Sequence, residues 1–430
     1  MKNKFILKCV TAAVAVSMVV TGLCSCNNED ENRVIASDNL LASIQRSEDA
    51  PSYDFSDSAE KPEGYDDYIT KTGNIAVQLL KQSSDSKENT IISPVAVALT
   101  MSALENSANQ STQKQIKGYL GKNTQTAEEI NQYAAYLTQR MSFFNNENSG
   151  IYNVNSLWIS DQLSPKRSFL QKIENNYNMS AYKTDFGADN VSTVIKNLIS
   201  DNSNSLINAD SINVSNDYQM YIDCSTIVSD NWLNSYNDSD IKKDTFTKND
   251  GSTVDVNYLT SPERIFKSDN AQGFIKDVKN TTCKLMCIMP DEDVTLDEYI
   301  SELTAEQLLD MSNTVSPTKF TNVSIPEFSV TKSGSLKNTL EGIGLECIFQ
   351  KDANFTKGFS EGVFVNDITQ TVSITVDKNG ISTNIQNTEE ASKQKTEGSL
   401  VFNRPFIYAV IDNESNTPII IGTINNPLKA

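Results

Sequence analysis

"VDKNGISTNIQNTEEASKQKTEGSLVFNRPF", residues 376 to 406, is the stretch on which the fold turns. A run of mostly polar residues lies between two strand-like segments, "TVSITV" ending at Val376 and "FNRPFIYAVI" starting at Phe402. Little in it can join a core, and connections of about twenty residues inside a compact domain are uncommon, being either disordered or functional. Its first part is patterned, however. After Gly380, the residues Ile381, Thr383 and Ile385 alternate with Ser382, Asn384 and Gln386. Successive side chains of a strand face opposite ways, so this segment would have one β-branched and one polar face, as a half-buried strand has. The tract is therefore read as a loop with the pattern of a strand in reserve.

Outward from it, the segments "YQMYIDCSTIVS" from Tyr218, "TFTKNDGSTVDVNYL" with a hairpin turn at Asp250 and Gly251, and "CKLMCIMPDE" have strand character. Helical spacing marks "YITKTGNIAVQLLKQ", "SPVAVALTMSALENSA" opening at Ser93 and Pro94, "TLDEYISELTAEQLLDM", and "SGSLKNTLEGIGL" ended by Gly342 or Gly344. Strands and helices come in blocks, which favours an α+β domain over a doubly wound parallel sheet.

Composition narrows the function. The 430 residues carry a formal charge of -19, which argues against a nucleic-acid partner, since phosphate binders cluster Lys and Arg. There is no histidine, which removes Ser-His-Asp, Cys-His and HExxH chemistry. No phosphate loop or dinucleotide fingerprint is present, so neither an enzyme's active site nor a cofactor is expected, and no metal site. Cys224, Cys283, Cys287 and Cys347 lack metal or disulfide spacing, and the first three sit in apolar strand-like runs where Cys acts as a small hydrophobe.

The order of segments from about Tyr68 to Pro427 resembles the serpin family. "NTIISPVAVALTMSALENSANQSTQKQI" is similar to its second-helix signature, through Asn89, Ser93, Pro94, Ala108 and Thr112. "NVNSLWIS" resembles its Asn-containing central strand, "DNWLNSY" its Trp region at Trp232, and "TFTKNDGSTVDVNYL" its strand pair at Asp250 and Gly251. "IPEFSVTKSGSLKNTLEGIGLECIF" carries Pro326, Phe328, Leu336, Leu340, Gly344 and Phe349. The end carries Phe402, Asn403, Pro405, Phe406, Gly422 and Pro427.

The resemblance implies a serpin fold, a mixed α+β domain over residues 68–430 with large mixed or antiparallel β-sheets surrounded by helices. It makes the polar tract an exposed reactive-centre loop, bait for a target protease. In inhibitory serpins the cut loop inserts into the main sheet and traps the protease. The implied hinge is Gly380, Ile381, Ser382, Thr383 and Ile385, and counting from Gly380 puts the scissile bond after Gln394, between Lys393 and Lys395. A one-residue slip would place a Lys in the specificity position and suit a trypsin-like target. The sheet-opening region is expected at Ser93, Cys224, Trp232 and Gln370, where Cys224 and Gln370 replace the family's usual Asn and His. Lys378 replaces an acidic residue, and bulky Ile381 stands first in line where the family has a small residue, so insertion is expected to be slow. The expected function is suicide inhibition of a serine or cysteine protease by a monomer. The alternative is a non-inhibitory serpin acting as a binding or carrier module.

At the N-terminus, Lys2, Lys4 and Lys8 precede an apolar run from Val10 to Leu23, the pattern of a signal peptide over residues 1–25. Its "TGLCSC" ending resembles a bacterial lipoprotein signal, with Cys26 as lipid acceptor. The following "NNEDE" resembles a tag for surface export, so a membrane partner through the lipid anchor and an outer-membrane, surface-exposed location are expected. Residues 26–67, polar with Pro51 and Pro62, are expected to form a disordered acidic tether. Cys26→Ala is expected to abolish incorporation of radiolabelled fatty acid in a bacterial host, and label entering the variant would refute the assignment.

Overall fold

The structure is a computed structural model. It describes residues 37–429 apart from 57–58, 122–124, 147–148, 204–205, 208–211, 312, 317–318 and 382–395. In chain order the elements are β1 (Asp38–Asn39), α1 (Tyr65–Ser83), β2 (Thr90–Ile92), α2 (Pro94–Glu105), α3 (Gln110–Leu120), α4 (Ala127–Phe143), β3 (Gly150–Ser160), α5 (Arg167–Asn176), β4 (Met179–Thr184), α6 (Val191–Asn202) and β5 (Met220–Asn231). Then come β6 (Ile241–Thr247), β7 (Thr253–Lys267), β8 (Ala271–Asp277), β9 (Cys283–Pro290), α7 (Leu296–Glu302), α8 (Ala305–Met311), β10 (Phe320–Pro326), β11 (Phe328–Ser335) and α9 (Lys337–Gly342). The chain finishes with β12 (Asp367–Val376), β13 (Gly380–Ile381), β14 (Thr396–Val401), β15 (Phe406–Asp412) and β16 (Pro418–Ile424).

Two sheets organise these elements, as an α+β fold requires. The first has the order β1-β4-β3-β5-β13-β12-β11, and the second runs β14-β10-β7-β8-β9-β15-β16-β2 with β6 paired to β7. Strands β15 and β16 are buried at every position, because both faces are covered, and so read as continuous apolar runs rather than alternating ones. The helix α2 is likewise buried all along its length. It starts where Ser93 Oγ accepts the Ala96 N–H, with Pro94 in the first turn, where its missing N–H costs nothing.

Local chemistry explains two boundaries. The single helix expected over residues 295–311 is two, since Thr304 opens a second cap: Thr304 Oγ1 accepts from Gln307 N–H while Gln307 Oε1 accepts from Thr304 N–H. Between β6 and β7, Gly251 takes a left-handed φ of 79°, which the turn demands.

The expected disordered tether is a misreading over the described part of residues 37–64. Asp38–Asn39 pairs with β4, and the Leu40 N–H donates to Ala181 O at 2.9 Å. Ile44 is only 6% exposed, and the rings of Tyr53 and Phe55 meet Tyr136 edge-on at 5.0 and 5.1 Å. Gln139 fixes the backbone beside them, accepting the Tyr53 N–H and donating to Pro51 O. A few apolar anchors thus offset the ordering entropy that the average composition alone could not. Ile44→Ala is expected to lower unfolding stability by about 2 kcal/mol in a urea melt, whereas a true tether would show no change.

Candidate functional site

The polar tract does not begin where β12 ends. Asp377 to Gly380 folds the chain back, so that Val376 pairs with Ile381. Asp377 Oδ1 ties this turn by accepting the N–H groups of Asn379 and Gly380 at 2.7 and 3.1 Å. Gly380 and Ile381 then stand between β5 and β12, antiparallel to β5 at Asn231 and Asp230. Glycine is required by the space, because a Cβ on residue 380 would lie 2.1 Å from the Asp230 carbonyl oxygen. Ile381 is fully buried in the main core. The expectation that its bulk must still force an entry is therefore corrected: it is already seated, in a slot where β5 and β12 spread apart, and its burial contributes about 1.5 to 3 kcal/mol.

Trp232 holds this turn from the side. Its backbone N–H donates to Asn379 O at 3.0 Å, its Nε1–H donates to Asp377 O at 2.8 Å, and the Tyr236 N–H donates to Lys378 O at 3.2 Å. Behind the two rings lies buried Lys276, with its ammonium 4.3 Å from the Tyr236 centroid and 5.3 Å from that of Trp232, and Glu263 as its ion-pair partner. Lys378 pairs with Asp238 at 2.7 Å, but both are exposed, so the pair contributes little.

Ser93, Cys224 and Gln370 meet further back along β5, without Trp232. Gln370 Oε1 accepts the Ser93 N–H at 2.9 Å, and its Nε2–H donates to Ser93 O at 3.2 Å and to Cys224 Sγ at 3.6 Å. The amide thus serves both backbone groups at the start of α2. Burial pushes the Cys224 thiol well up, which makes it unreactive as a nucleophile. A cavity of about 290 Å³ adjoins this cluster, lined by Ile91, Lys332, Leu336, Thr339 and Gln370 among others.

Below the slot, β5 and β12 pair in parallel at Tyr221–Asp223 with Asp367–Thr369, and again at Thr226–Ile227 with Val372–Ser373. At the intervening positions side chains take over, and the Thr371 N–H donates to Ser225 Oγ at 2.9 Å. One further residue of this seam was not anticipated from sequence. Asp223 is fully buried and accepts from Thr369 Oγ1 across the seam at 3.0 Å and from Ser225 Oγ at 2.8 Å. Burial pushes its carboxyl up to about 7 against the pull of those two hydroxyls. The only sequence signal was a lone carboxylate inside the strand-like run "YQMYIDCSTIVS". Ser382, Thr383, Ile385, Lys393, Gln394 and Lys395 lie outside the described residues, as does Cys26. The chain resumes at β14, which runs parallel to β10 in the other sheet.

Comparison with known proteins agrees with this geometry. The family profile described as serpin (serine protease inhibitor) matches residues 70–427. Human neuroserpin is 23% identical over 376 residues, covering 80% of this chain and 88% of its own. The thermophilic serpin tengpin in its native state is 26% identical with a TM-score of 0.80, covering 91% of this chain and 100% of its own. In its latent state the TM-score falls to 0.69, over 83% of this chain and 97% of its own. Human thyroxine-binding globulin shares the fold at 16% identity and a TM-score of 0.76, over 84% of this chain and 99% of its own. With its profile match running through both sheets and the turn at Gly380, the chain belongs to the serpin family.

Proposed function

We propose that this serpin is a suicide inhibitor of a serine or cysteine protease, carried on the outer membrane through lipidated Cys26. The nucleophile belongs to the target; this chain supplies the bait between Ser382 and Lys395 and the sheet that receives it. The observation that carries the reading is the seat of Gly380 and Ile381 between β5 and β12. They already form the first pair of a strand whose remaining length would lie along the seam. Continuing that antiparallel register would bring Thr383 opposite Val228 and Ile385 opposite Thr226, on the same core-facing side as Ile381. Each backbone hydrogen bond so gained would contribute about 1 kcal/mol net.

The same register favours a second reading deeper in the sheet. Glu389 would come opposite Ile222, which is fully buried, and a carboxylate cannot enter such a place without neutralising or paying heavily in solvation. Insertion that stalls above Glu389 would leave the chain a cleavable binding module, the role suggested by likeness to thyroxine-binding globulin, and the cavity beside Gln370 would be its natural ligand site.

Incubation with trypsin-like proteases separates the two. The inhibitor reading expects a covalent complex that survives SDS, cleavage between Ala391 and Glu397 by mass spectrometry, and a melting temperature raised by about 10 °C or more in nicked protein. Glu389→Leu is expected to raise the trapped share several-fold. Nicked protein that melts like the intact chain, with no complex from either version, would leave the carrier reading in its place.

A further inference from the structure

Asp223 has no part in the turn or the hinge, yet it occupies the line along which β5 and β12 meet. Its two acceptor oxygens are both used within the seam, one by Thr369 from the opposite strand and one by Ser225 from its own. Thr369 Oγ1 is also bonded to the Tyr221 hydroxyl, and Ser225 Oγ accepts the Thr371 N–H. Five residues from two strands thus form one closed polar cluster with Asp223 at its centre. Strand alternation puts Tyr221, Asp223, Ser225 and Ile227 on the face that packs with Val191, Ile195 and Ile199 of α6. No water-filled surface reaches the carboxyl, which is 0% exposed.

We propose that Asp223 is a proton-controlled clasp on the seam between β5 and β12: closed while the carboxyl is neutral, and eased open when it ionises. A strand entering along this register comes opposite Asp223 at residue 388, and to reach that depth it must part Asp223 from Thr369, so the clasp sets the threshold for full widening of the sheet. The inference concerns the sheet itself and holds whether or not the loop traps a protease.

The surroundings fix the direction. Burial raises the carboxyl, hydroxyl bonds from Ser225 and Thr369 lower it, and no charged side chain contributes. On its own strand, Tyr221 and Cys224 are both raised, chiefly by burial and in part by Asp223 itself. On β12, Asp367 is another acid raised by burial, with Ser335 and Lys337 opposing the rise. From α6, Lys196 is only half-buried, and the residues turned inward are apolar. In an opened seam the hydrated carboxyl would return to about 3.9. The closed seam then holds its proton more tightly than the open one. Its stability is fullest in acid, falls as pH rises above about 4, and levels off above about 7.

Hydrogen exchange followed by mass spectrometry on the intact protein reads the seam directly, through peptides covering residues 221–227 and 367–373 and corrected for the intrinsic pH dependence of exchange. Protection in the wild type is expected to fall about tenfold per pH unit between pH 5 and 7 and to flatten above that. Asp223→Asn and Asp223→Ser are expected to remove the slope, whereas Asp367→Asn should keep it. A flat wild-type profile overturns the proposal without any variant, and so does a slope that survives loss of Asp223 or disappears with Asp367.

Discussion

β5 and β12 touch as parallel neighbours only from Tyr221 to Ile227 and from Asp367 to Ser373, and within that short stretch part of the backbone ladder is replaced by side chains. Parallel pairing is slightly weaker per residue than antiparallel. On their outer sides the same strands are held far better. β5 is antiparallel to β3 from Met220 to Ser229, and β12 is antiparallel to β11 along Thr369–Val376. The seven-stranded sheet therefore consists of two well-bonded halves joined along one weak line, and a force on it parts that line before it distorts either half. The Gly380–Ile381 turn, the Gln370 cluster and Asp223 all lie along this line.

At the upper end of the line the chain has solved a steric problem with two residues. The gap between β5 and β12 is too narrow for a side chain at residue 380, and glycine fits. One residue on, the gap is deep enough that a β-branched side chain is wholly enclosed. Trp232 then bonds to the turn through both its backbone and its indole, so the turn is gripped by the residue that directly follows β5.

How much of this could be read from sequence depends on whether the signal was local. Ser93 and Pro94 announced the start of α2, and Asp250 and Gly251 the β6–β7 turn, because caps and turns are decided by a few adjacent residues. The seat of Ile381 was missed although Asn379 and Gly380 form a strong hairpin dipeptide, because the polar tract was weighed as one piece. The strand β14 was also absorbed into that tract, since an edge strand with Glu397, Gly398 and Ser399 exposed looks like loop. The segment around Tyr53 and Phe55 was lost in an average dominated by Ser and Asp. Asp223 could not have been assigned at all: its partner Thr369 is 146 residues away, and nothing near residue 223 indicates which strand will lie beside it.

The burial of Asp223 also bears on the proton inventory of the whole molecule. Most proteins carry histidines that titrate between pH 5 and 8 and blur any single event there. This chain has none. Without imidazoles, the proton that Asp223 gives up when the sheet opens has few competitors near pH 7. A conformational change that frees Asp223 would therefore show itself as acid released into a lightly buffered solution.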